Sequence, residues 1–98
     1  MFGRKETREE KRGAVRRRID MKATLQQQDQ AADCVVRNIS STGVQLIVHT
    51  PPPPETPIAV KMDRVGLLQA IVRWRDGNRL GAVLSKMTAA IEERIRKL

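Results

Sequence analysis

The chain has 98 residues, a formal net charge of +8 and a hydrophobic content of 40%, which allows one small domain with one core. Phe2 and Trp74 are its only aromatic residues, so that core is aliphatic, and Cys34 is its only cysteine, which excludes an internal disulfide or a cysteine-rich metal site. No run approaches the roughly 18 apolar residues of a membrane helix, and the start Met-Phe-Gly-Arg-Lys-Glu lacks the apolar stretch of a secretory signal, so a cytoplasmic protein is expected, without membrane insertion.

The basic excess is densest at the start: residues 1–22 carry nine Lys/Arg and four Asp/Glu. Residues 1–19 alternate bases with acids and have too few apolar positions to bury a face, so they are expected to form a flexible basic arm. Residues 20–98 are expected to form the folded domain. Met21, Ala23 and Leu25 alternate with Lys22, Thr24 and Gln26, the period of a half-buried strand. The polar stretch from Gln26 to Asp33 is expected to be a hairpin loop. Cys34 to Arg37 and Val44 to His49 are β-branched and predict the second and third strands. Between them, Arg37-Asn38-Ile39-Ser40-Ser41-Thr42-Gly43 predicts a tight connection: Asn and Ser bond their own backbone, and Gly43 permits a positive φ.

Pro51-Pro52-Pro53-Pro54 should run extended as a surface connection. Ile58, Val60 and Met62 mark a fourth strand. Leu67 to Arg75 marks a fifth, with Leu68, Ala70, Val72 and Trp74 expected on one face. Asp76-Gly77-Asn78 is a hairpin signal, and Arg79 to Leu84 is the sixth strand. Met87, Ile91, Ile95 and Leu98 then recur at helical spacing, with Thr88 as N-cap and Glu92–Arg96 and Glu93–Lys97 as supporting pairs. Six short antiparallel strands with regular turns and one C-terminal α-helix predict an all-β fold, a small barrel whose open end the helix covers.

Catalytic constellations are thin. His49, the only histidine, ends a strand and is expected to be structural, and Cys34 is expected to fill core space. The chain has neither a phosphate-binding P-loop nor a dinucleotide fingerprint, so it is not read as an enzyme, and no cofactor is expected. Binding residues are better represented. Arg12 and Arg16 stand four apart, followed by Arg17 and Arg18. Arginine's planar fork grips phosphate bidentately and matches the O6/N7 edge of guanine.

The order Arg12-xxx-Arg16, a strand, then Asn38-x-Ser40-x-x-Gly43 resembles the PilZ domain family, whose signature is RxxxR followed by (D/N)xSxxG. The stretch from Ile71 to Gly81, with Val72-Arg73-Trp74 before the turn, is similar to that family's late hairpin. The resemblance covers roughly residues 8–98. It implies a six-stranded antiparallel barrel that binds cyclic di-GMP, a bacterial second messenger, and so serves signalling in motility, polysaccharide export or virulence. It implies that Arg12 and Arg16 clamp the ligand, that Asn38 and Ser40 hydrogen-bond it, and that Gly43 allows the turn and close approach.

Arg8, Lys11, Arg17 and Trp74 form a second tier. Arg8-xxx-Arg12 fits the arginine spacing as well. Lys11 stands where many members carry a further arginine, and leaves open one ligand or a stacked pair. Asn38 replaces the commoner Asp. Trp74 is read first as core packing on the inner face, with a stacking edge near the ligand as the alternative. The function expected is that of a stand-alone cyclic di-GMP receptor whose arm orders on binding and which signals through a partner protein. The alternatives are a PilZ-like adaptor without ligand binding and a nonspecific basic-arm nucleic-acid binder; no specific nucleic acid is expected.

Overall fold

The computed structural model describes residues 16–98, so Arg8, Lys11 and Arg12, with most of the expected arm, lie outside the described residues. Six strands and one helix follow in chain order: β1 Arg17–Gln27, β2 Gln30–Ile39, β3 Gly43–Val48, β4 Pro57–Met62, β5 Gly66–Asp76, β6 Arg79–Ser85 and α1 Ala89–Arg96. The strands close into an antiparallel barrel in the order β1-β2-β3-β6-β5-β4. Closure gives each of these strands a partner on both sides. The ladder that seals it, β1 on β4, is the shortest: Thr24↔Lys61, Leu25↔Val60 and Gln26↔Ala59.

The interior is aliphatic, as the composition requires. Val36, Ile39, Val60, Val72 and Leu80 are wholly buried, with Leu46, Val44, Val65 and Leu68 nearly so. Cys34 is part of this core. Burial pushes its thiol up from 9.0 to about 11, with a smaller push from the neighbouring Asp33 carboxylate. Ile95 of α1 is buried against the same core, and Met87, Ile91 and Leu98 pack beside it. Thr88 caps the helix as expected, its Oγ1 accepting the Ile91 N–H at 3.2 Å. Arg96, however, pairs with Glu93 at 3.0 Å, three residues back, rather than with Glu92.

Three local expectations are corrected. The loop expected over Gln26 to Asp33 is a two-residue turn at Gln28 and Asp29; the ladder runs on through Gln27↔Gln30, and Gln28 takes a left-handed φ of 56°. Its outer residues are polar or alanine and exposed, so no apolar alternation announced the pairing. The proline run is not wholly superficial: Pro51 and Pro52 are buried, and Arg75 Nη1 donates to the Pro51 carbonyl at 3.0 Å. Strand β1 begins at Arg17, three residues before Asp20, where the alternation had suggested a start.

A fourth correction concerns register, and it shapes the outer surface. Each of β1, β2 and β5 holds one extra residue, a β-bulge: between Arg18 and Met21, between Val36 and Asn38, and between Val72 and Trp74. An extra residue reverses the in–out parity of everything beyond it. Strict alternation would put Asn38 inside with Cys34 and Val36. The bulge at Arg37 turns Asn38 outward and buries Ile39 instead. Likewise Trp74, expected inside after Leu68, Ala70 and Val72, is turned out by the bulge at Arg73 and is 39% exposed.

Candidate ligand-binding site

Positions level with these bulges form one lateral row across the barrel. Cα pairing links Arg18 to Asn38, Asn38 to Gln45, Gln45 to Gly81, and Gly81 to Trp74. Cross-strand partners share a face, so five strands contribute one position each to a single band. Above the band a shallow groove of about 240 Å³ is lined by Arg16, Gly43, Gln45, Arg73, Trp74 and Gly81, together with Thr42, Ala82 and Val83.

Two glycines give the groove its depth. A Cβ on Gly81 would overlap the indole of Trp74, so the ring rests against the bare backbone. A Cβ on Gly43 would meet the Ala82 carbonyl oxygen at 3.3 Å and Arg16 Nη2 at 3.8 Å. Gly43 is thus needed for close approach. It does not take the positive φ that a turn reading suggests; among the described residues Gly66 and Gly77 are the glycines that do.

Arg16 also holds Asn38: its Nη1 donates to Oδ1 at 2.8 Å. Asn38 Nδ2 in turn donates to Gln45 Oε1 at 3.0 Å. Ser40, expected beside Asn38 as a ligand contact, is only 1% exposed. Its Oγ accepts the backbone N–H groups of Thr42 at 3.2 Å and Gly43 at 3.1 Å, and its own N–H donates to the Gly43 carbonyl at 2.9 Å. The serine is the scaffold of the β2–β3 turn, satisfying donors that the turn would otherwise bury unpaired. Because Thr42 O accepts the Leu84 N–H at 2.9 Å, the turn is also pinned to β6.

The bulge beneath the site is braced by charge. Asp20, with φ at 49°, contacts both Arg18 Nε and Arg37 Nε at 3.0 Å. The Arg37 N–H makes no directed hydrogen bond, so that contact is coulombic and, at a half-exposed carboxylate, modest. Arg17 faces elsewhere: its Nη1 donates to the Leu98 carbonyl at 2.7 Å, tying β1 to the segment after α1.

Of the expected residues, Arg16, Gly43 and Trp74 line one groove, Asn38 is tied to it through its bonds to Arg16 and Gln45, Ser40 supports the adjoining turn, and Arg17 is turned away. Gln45, Gly81 and Arg73 were not singled out by sequence. Gln45 carried a signal, a lone amide in the otherwise apolar run Val44 to Val48. Gly81 stood only at the end of the late-hairpin resemblance, since its role depends on a register that the bulge sets.

The groove combines a donor fork, an amide with its oxygen turned outward, and an exposed aromatic face. That set suits a planar, anionic, hydrogen-bonding ligand. Among the described residues, no group of three or more His, Cys, Asp or Glu is placed to hold a metal ion, and no helix is long and apolar enough to cross a membrane. The family model described as the PilZ domain matches residues 6–98. No curated protein matches the chain.

Proposed function

The chain belongs to the PilZ domain family, and on that premise we propose that it is a receptor for cyclic di-GMP that binds in the groove beside Trp74. The observation that carries this reading is the Arg16–Asn38 pair, 2.8 Å apart, whose arginine lines the same groove as Trp74. The ligand has two phosphates and two guanines. Arg16 can take a phosphate or the guanine O6/N7 edge bidentately. Asn38 Oδ1 can accept from guanine N1–H and N2–H. The indole offers a face of matching size for a base to stack on.

Arg16 and Asn38 satisfy each other across the 2.8 Å bond. Binding exchanges that one contact for several, with the guanidinium swinging from the amide to the ligand and the amide turning to the base. Arg12, with Arg8 and Lys11 as further cations, would close on the ligand from the N-terminal segment. Ordering of that segment on the barrel would create the altered surface through which a partner protein senses the signal. Binding and release require no reaction, so the role is that of a receptor and not an enzyme.

The test is calorimetric titration with cyclic di-GMP, with GTP and a DNA oligonucleotide as controls, at moderate salt. Saturable heat with cyclic di-GMP alone, at a stoichiometry near one or two, is the expected result. Heat with DNA alone would replace the reading with nonspecific attraction to the basic segment. Silence with every ligand would leave a PilZ-like adaptor.

A further inference from the structure

Arg16, Asn38 and Gln45 form a chain of one donor-only group and two amides. A guanidinium has N–H donors and no acceptor. Asn38 must therefore meet Arg16 with Oδ1, at 2.8 Å, and this turns Nδ2 to Gln45, where Oε1 accepts at 3.0 Å. The polarity of the chain is set entirely at its Arg16 end. Gln45 serves equally well the other way round: with its own amide turned over, Nε2 donates to Oδ1 of an inverted Asn38. Once Arg16 leaves for a ligand, none of the other hydrogen bonds described for Asn38 or Gln45 opposes that inversion.

We propose that Gln45 is a specificity-determining residue of this groove, acting through Asn38 to decide whether a base edge meets an acceptor or a donor. This rests on the groove being a cyclic-dinucleotide site. Guanine shows N1–H and N2–H donors on that edge, whereas adenine shows a bare N1 acceptor in the same place. The pair as it stands fits guanine, and the inverted pair fits adenine. Both orientations keep the bond between the amides, so Asn38 with Gln45 discriminates weakly by itself. A residue at 45 with a single polarity would lock the choice. Gln45→Glu accepts only, which holds Oδ1 outward for guanine. Gln45→Lys donates only, which holds Nδ2 outward for adenine.

The experiment titrates cyclic di-GMP and cyclic di-AMP into the protein and these two variants and reads the ratio of the two Kd values. The added charge changes attraction to both ligands alike, because each carries two phosphates, so the ratio isolates the hydrogen-bond polarity. Gln45→Glu is expected to raise the preference for the guanine ligand by about tenfold and Gln45→Lys to lower it by about tenfold, the worth of one hydrogen bond gained or lost. In an Asn38→Asp background both substitutions should leave the ratio unchanged, because a carboxylate has no donor end to turn. A ratio that is the same in all three single-site proteins overturns the proposal and leaves the cyclic-dinucleotide reading standing. A wild-type protein that binds neither dinucleotide overturns that reading and the selector with it.

Discussion

Ser40 and Cys34 are the two buried residues whose polar chemistry can be measured separately from ligand binding. The Ser40 hydroxyl holds the Thr42 and Gly43 N–H groups from inside the turn. Ser40→Ala leaves those donors without a partner, which costs about 1–3 kcal/mol. A urea melt should show this loss, and any fall in affinity should follow from a loosened turn rather than a missing ligand contact. Cys34 titrates at about 11 in the fold against 9.0 when free. A raised folded pKa means that the unfolded chain gives up its proton first, so stability is fully present below pH 9 and falls as pH rises through 11. The full loss is roughly 3 kcal/mol for a two-unit shift. Melts at pH 8 and pH 11 compared between wild type and Cys34→Ala should show an alkaline loss that the variant lacks.

At the scale of strands, the groove depends on extra residues. The bulges in β2 and β5 turn Asn38 and Trp74, which strict alternation would put in the core, out to the band that Arg18, Gln45 and Gly81 share. Gly81 completes the arrangement, because the indole occupies the space its side chain would need. Gly81→Ala should therefore lift Trp74 off the barrel without touching its interior. As Trp74 is the chain's one tryptophan, its emission reports this directly: a red shift is expected, with affinity for cyclic di-GMP weakened about tenfold by lost stacking. Unchanged emission would mean that the ring does not rest on Gly81. The strands were legible in the sequence wherever one face is apolar, which covers β3 to β6, the middle of β1 and the Cys34–Arg37 part of β2. The β1–β2 tip was not, because exposed glutamines and alanines carry no period. Asn38 and Gly43 could be found by their spacing, but the face on which Asn38 and Trp74 stand could not. A bulge is set by pairing with a distant strand and leaves no mark on local alternation.

At the scale of the whole molecule, the groove joins residues from both ends of the chain: Arg16 at the start of the described segment, the β2–β3 turn, and the β5–β6 hairpin. A ligand there ties together pieces that sequence separates, and so should stabilise the barrel as a unit. The ladder between β1 and β4 is where such a barrel is most easily undone, since three residue pairs close it while nine join β1 to β2. Amide hydrogen exchange followed by NMR should be fastest, among buried strand amides, at Thr24–Gln26 and Ala59–Lys61; uniform protection around the barrel would refute this. A seam that breathes exposes two complementary strand edges at once. The nearest partner for each, in a concentrated solution, is the opposite edge of a second opened copy. The short ladder thus marks the place where two molecules would trade strands and settle into an intertwined pair, with each barrel rebuilt from both chains.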